Sequence, residues 1–167
     1  NDKDETRWLQ AQSTPSETRI NETVWYGYLQ DITTRKNKEQ QFRMLAEMSE
    51  DIISLHDTDL SLRYVNPKAK AAFGNDQSIN LGGSPSEVVH PEDISKVEEA
   101  HAQNLSGKTT TIEWRRMLED GSAMWVETKL RPISGPTGNV EQILCSSRII
   151  DERKKKELFL VKNKNFL

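Results

Sequence analysis

Only one cysteine, Cys145, occurs among the 167 residues. A lone thiol excludes an intramolecular disulfide and a cysteine-rich zinc site, and it fits a reducing compartment. Long apolar runs are missing as well. None exceeds four residues, so this stretch holds neither a membrane helix nor a signal-peptide core. A cytoplasmic segment without membrane contact is expected, whether or not the parent chain is anchored elsewhere. A basic excess is also lacking: Lys plus Arg is 23 against 26 for Asp plus Glu, a formal net charge of −3. A nucleic-acid ligand, which needs cations to neutralise phosphates, is therefore disfavoured. Hydrophobic residues make up 34%, and counting the 8 glycines raises this to about 39%, below the roughly 45–50% of a globular domain. A core exists, but it is thin, and the length suits one domain with something left over.

Catalytic signatures are absent too. No G-x-S-x-G elbow or phosphate loop is present, and Gly82-Gly83 reads as a turn. Carboxylate pairs such as Glu98-Glu99 fall on a polar helix face, where solvation explains them. His56, His90, His101 and Cys145 show no metal-ligand spacing. The fragment is expected to hold no catalytic or metal site. The run Arg153-Lys154-Lys155-Lys156 is flanked by Asp151, Glu152 and Glu157, so it reads as a solvated helix start rather than an anion-binding patch.

What is there is, first, an echo. Arg35-Lys36-x-x-Glu39 reappears as Arg153-Lys154-x-x-Glu157, and Trp8 before Pro15 reappears as Trp125 before Pro132, at offsets of 118 and 117. The difference of one fits a turn-length change, since residues 134–139 (Ser-Gly-Pro-Thr-Gly-Asn) form a stronger turn signal than residues 16–21. Residues 1–39 thus read as the tail of a domain whose complete copy lies between about 40 and 152, and the chain as a piece of a longer array.

Within the complete copy, residues 35–50 favour a helix with Phe42 and Leu45 on one stripe. Residues 52–56 and 62–66 read as a strand pair around Asp57-Thr58-Asp59. Asn66-Pro67 opens a short helix ending at Gly74, residues 80–86 form a loop, and residues 85–89 allow one helical turn. His90-Pro91-Glu92-Asp93 starts a longer helix to Leu105 with Ile94, Val97, His101 and Leu105 on its apolar stripe. Strands over 109–118, 123–133 and 140–150 follow, the first two joined through Asp120-Gly121. The fold class is α+β: a five-stranded antiparallel sheet with short helices on one face, and any pocket lies between them. Trp114 and Trp125, on neighbouring strands, form a partner patch or pack under a covering helix, the second being preferred.

These residues resemble the PAS domain family, the sensory modules of bacterial signalling proteins. The resemblance is carried by Asp51-Ile52-Ile53-x-x-His56-Asp57, Tyr64-Val65-Asn66-Pro67, Phe73-Gly74, His90-Pro91-Glu92-Asp93, Glu113-Trp114-Arg115, Asp120-Gly121-Ser122 and Trp125-Val126. Trp25 to Thr33 resembles the closing strand and Asp-Ile-Thr exit of the same family. At the second exit stand Ile149-Ile150-Asp151, so the aspartate that couples strand to outgoing helix is missing or moved. The resemblance implies four segments: 1–34, the C-terminal strand pair of an upstream PAS domain; 35–50, a linker helix; 51–152, a complete PAS domain; and 153–167, the start of an output helix. Phe73, Val89, Val97, His101, Leu105 and Cys145 are the pocket candidates, Asp31, Thr33, Asp151 and Arg153 the signal exits, and Phe42 and Leu45 the dimer contacts. Haem-binding relatives ligate iron through a histidine of the long helix, which would be His101. Flavin-binding relatives use a cysteine in the helical segment, and residues 67–106 contain none, so no cofactor is expected. Cys145 is expected as a small buried hydrophobe rather than a redox sensor. The implied parent is a sensor histidine kinase, with a diguanylate cyclase or a ligand-free dimerisation module as alternatives. An unknown small molecule and a second copy of the chain are the implied partners.

Overall fold

The computed structural model describes residues 6–17, 22–73 and 87–164. The helix stop expected at Gly74 and the loop over 80–86 lie outside the described residues. The chain divides into two compact units, Asn1–Ala46 and Glu47–Leu167.

The first unit is a hairpin and a helix. β1 (Leu9–Glu17) and β2 (Thr23–Asp31) pair antiparallel, with Leu9 opposite Asp31 and Pro15 opposite Trp25. α1 (Thr33–Glu47) begins two residues before the expected start. Its entry is fixed locally: Asp31 Oδ1 accepts from the Thr33 N–H at 2.8 Å, and the Trp8 N–H donates to Thr33 Oγ1 at 2.8 Å. A polar side chain satisfying a first-turn N–H is what starts a helix at that position.

The second unit is the expected α+β layer. β3 (Ile52–Asp57), β4 (Leu62–Val65), β5 (Thr110–Met117), β6 (Ala123–Ser134) and β7 (Val140–Ile149) form an antiparallel sheet of order β4-β3-β7-β6-β5. α2 (Lys68–Phe73) and α3 (Ile94–Leu105) connect the two sets of strands, and α4 (Asp151–Lys164) leaves the last one. Buried Asn66 ties β3 to β4: its Oδ1 accepts from the Ile53 N–H at 3.1 Å and its Nδ2 donates to the Asp51 carbonyl at 2.9 Å. The alternation of β6 and β7 puts Val126, Thr128 and Leu130, and Ile143, Cys145 and Ser147, on the inner face, all buried.

α3 departs from its expected stripe. A 3-10 turn (Pro91–Asp93) precedes it, and the buried positions are Asp93, Ala100 and Asn104, while Leu105 is 43% exposed. Asp93 sets this phase. Its carboxylate accepts from the Arg115 backbone N–H (2.8 Å), Nε (2.9 Å) and a terminal guanidinium N–H (3.0 Å). Anchored there, the inward row runs through positions 93, 97, 100 and 104, and Leu105 falls about 100° further round. Buried Asn104 is held by bonds to the Ala100 carbonyl (3.0 Å) and Thr110 Oγ1 (2.6 Å).

The hairpin of the first unit repeats β6 and β7 of the second. The Ile32 N–H donates to the Trp8 carbonyl at 2.8 Å, as the Ile150 N–H does to that of Trp125 at 2.9 Å. Leu9 opposite Asp31 matches Val126 opposite Ile149, and Pro15 opposite Trp25 matches Pro132 opposite Ile143. The register of the echo is therefore maintained from the open end as far as Ser16 opposite Val24 and Ile133 opposite Gln142, and it departs only beside the turn, where β6 and β7 shift at Ser134.

Candidate functional site

A cavity of about 130 Å³ lies between the inner sheet face and the helical layer of the second unit. Its roof includes Ala69 and Phe73 of α2, Val97 of α3, and Val88 and Val89. The last two are held beside β5 because the Met117 N–H donates to the Val88 carbonyl and the His90 N–H to the Arg115 carbonyl. Of the pocket candidates, Phe73, Val89, Val97 and Cys145 line this space, and His101 and Leu105 do not. Leu105 points away for the phase reason given above. His101 Nε2 donates instead to the Thr58 carbonyl at 2.8 Å. Because His101 is not among the residues lining the cavity, the described lining offers no axial nitrogen from α3, and haem does not fit these residues.

The floor carries polar groups that composition and helix periodicity do not reveal. His56 Nδ1 lies 3.0 Å from the Leu60 carbonyl, which only accepts, so the proton sits on Nδ1. Nε2 then accepts from the Ser54 hydroxyl at 3.0 Å. Burial holds the His56 pKa below its usual 6.5, against the smaller opposing effects of the Leu60 bond and the Asp57 charge. Leu60 adopts φ 69°, a region L-residues rarely occupy, and this places its carbonyl on the ring. A buried histidine kept neutral binds fewer protons folded than unfolded. Its stabilising contribution is complete above pH 6.5 and is lost as pH falls from 6.5 toward the folded value. Denaturant titrations at pH 7 and pH 5 are expected to show this loss, and His56→Gln is expected to reduce it. An unchanged slope in the variant would refute His56 as its source.

Cys145 is 6% exposed, and burial pushes its thiol up to about 12, with the Ser54 hydroxyl acting in the opposite sense. The packing role fits this environment, since a reactive thiol needs thiolate character. Among the described residues no group of three or more His, Cys, Asp or Glu side chains is placed to hold a metal ion, and no helix is long and apolar enough to cross a membrane.

Across the sheet from the cavity stands the exit. Trp114 and Trp125 do not form one patch. Trp114 pairs with Val126 and faces the cavity, whereas Trp125 pairs with Arg115 and faces outward. The Trp125 ring is approached by two cations, Arg115 at 5.3 Å and Lys154 of α4 at 5.0 Å. Its backbone N–H donates to Asp151 Oδ1 at 2.7 Å. The exit aspartate has thus moved rather than vanished: it occupies the place of Thr33, which accepts from Trp8 in the first unit. Arg153 pairs with Glu113 and with Glu127 (3.2 Å), and Lys154 pairs with Glu113. These contacts run from Asp93 at the head of α3, through Arg115 and Trp125, to α4. The other two exit residues, Asp31 and Thr33, form the corresponding cap of α1.

Comparison with known proteins places these features. The family described as PAS fold matches residues 62–147. Hypoxia-inducible factor 1-alpha of Xenopus laevis is 25% identical over 114 residues, 67% of this chain and only 14% of that protein's length. The PAS domain of an HTR-like protein from Haloarcula marismortui is 27% identical, with a TM-score of 0.57 over 70% of this chain and 95% of that one. A domain assigned to a light and redox sensing histidine kinase of the same organism shares the fold at 21% identity, with a TM-score of 0.52 over 66% of this chain and 98% of that one.

Proposed function

Because the chain belongs to the PAS-fold family, whose domains sense rather than catalyse, we propose that residues 51–152 are the sensory domain of a histidine kinase and that α4 begins the helix carrying its output. The observation that carries this reading is the continuous set of contacts from the cavity's helix to α4: Asp93 to Arg115, Arg115 and Lys154 on Trp125, and Trp125 to Asp151. An occupant that prefers one position of α3 shifts a two-state equilibrium by its differential affinity, and the Arg115–Trp125 stack transmits the shift. In the parent protein, autophosphorylation on histidine tests the effector class, and synthesis of a cyclic dinucleotide instead would favour the cyclase alternative.

Residues 1–34 are, on the same reading, the closing strands of an upstream PAS domain, and residues 35–50 its linker to the next. Leu9 and Trp25 occupy the register places of Val126 and Ile143, which are 1% and 0% exposed, yet they are themselves 61% and 63% exposed. A face that is core in one copy and bare in the other needs the rest of its own domain or a second chain. A homodimer is proposed through α1, where Phe42 is 38% and Leu45 71% exposed. Light scattering is expected to report a dimer that Phe42→Glu converts to a monomer; a strict monomer at high micromolar concentration would reject it.

A further inference from the structure

Among the described residues, the cluster of Trp114, Thr128 and Ser147 on the cavity floor holds one more donor proton than it has acceptors for. Trp114 Nε1, which only donates, gives its proton to Thr128 Oγ1 at 2.8 Å. Thr128 Oγ1 and Ser147 Oγ lie 2.9 Å apart, so one hydroxyl donates to the other. Three donor protons thus share two bonds, and whichever hydroxyl keeps the third has no acceptor among the described residues. Both side chains are buried, Thr128 at 5% and Ser147 at 9% exposure. The neighbouring pair is closed by contrast, since Ser54 donates to His56 and His56 to the Leu60 carbonyl.

We propose that the cavity binds an uncharged, compact, apolar molecule bearing one acceptor group, such as a small cyclic ketone, whose oxygen takes the spare hydroxyl proton of the Thr128–Ser147 pair. This deepens the sensory reading and rests on it. The remaining floor and roof are mostly aliphatic, including Ile52, Leu62, Val65 and Leu130. The volume is close to that of a cavity of about 150 Å³ that admits benzene. A cation meets no carboxylate among the described lining residues. Among the described lining residues an anion meets a single cation, Arg116, which stacks on the Phe73 ring at 4.3 Å and holds a further interaction besides. Burying an ion there without a partner is costly.

Four ring probes of similar size test this: cyclohexanone, methylcyclohexane, cyclohexylamine and cyclohexanecarboxylate, titrated into the isotope-labelled chain and followed through the amides of residues lining the cavity. Relative to each probe's own partitioning from water into alkane, cyclohexanone is expected to bind at least about ten-fold more tightly than methylcyclohexane, the worth of one buried hydrogen bond, and affinities are compared on that scale. Its carbonyl stretch is expected to fall below the alkane-solvent position. Equal affinity for the two neutral rings, an unshifted carbonyl band, tighter binding of either charged ring, or no binding of cyclohexanone would overturn the proposal. Amides of α4 report separately on the sensory reading. Ketone binding with a silent α4 refutes the relay and leaves the ligand class standing, whereas an α4 response to a charged ring refutes the class and leaves the relay.

Discussion

Arg115→Ala is expected to remove about 3 kcal/mol from the stability of the unit spanning residues 47–167, and to lower its Tm by more than about 10 °C. The Asp93 carboxylate is 6% exposed and takes its two side-chain bonds from Arg115 at 2.9 and 3.0 Å. Truncation leaves it with the backbone N–H of residue 115 and with Lys96 at 4.0 Å. A buried charge stripped of its partner costs more than the pair was worth. The Arg115 hydrogen bonds hold the Asp93 pKa below its usual 3.8, against a smaller opposing effect of burial. A carboxylate so depressed stabilises the fold above pH 3.8, and that contribution is lost as pH falls through the folded value. Chemical denaturation measures the cost, and acid unfolding of Asp93→Asn, which lacks the titrating group, measures the pH effect. A loss under about 1 kcal/mol would show that solvent screens the pair as it screens surface ion pairs.

Trp125→Ala is expected to detach the first turns of α4 while leaving the sheet folded. Two cation–π contacts, with Arg115 and with Lys154, rest on this ring, and together they are worth about 1–3 kcal/mol. Amide exchange in α4 should therefore rise roughly 5- to 150-fold. The backbone bond from residue 125 to Asp151 survives the substitution, so helix entry itself is retained. Exchange that rises equally throughout β6 and β7 would mean that Trp125 supports the sheet and not the exit.

The sheet was legible because its signals are local. Asp120-Gly121 pins the β5–β6 hairpin, and alternation fixes which residues face inward. That same parity carries the polar floor: Trp114, Thr128 and Ser147 share the face of Ile112, Val126 and Cys145. Apolarity as the criterion for pocket residues passes over them, although counting outward from the hairpin turn finds them. It also separates Trp114 from Trp125, which stand on neighbouring strands but face opposite ways. The phase of α3 was not legible. It depends on Asp93 meeting Arg115, 22 residues away, and a stripe drawn through apolar residues alone chooses Leu105 over buried Asn104. The polar role of His56 leaves no mark in the sequence, because the left-handed turn at Leu60 that closes its hydrogen bonds has no glycine to signal it.

The central claim is that the state of the cavity is felt at α4. Xenon under pressure fills small apolar cavities without regard to hydrogen bonding, so it tests the relay independently of any ligand chemistry. Amide exchange over residues 150–161 is to be measured with and without xenon, in the wild-type chain and in Trp125→Ala. The expected result is a change in α4 exchange in the wild type that is absent from the variant. Xenon shifting the amides around Val97 and Thr128 while α4 exchanges at one rate throughout would contradict it.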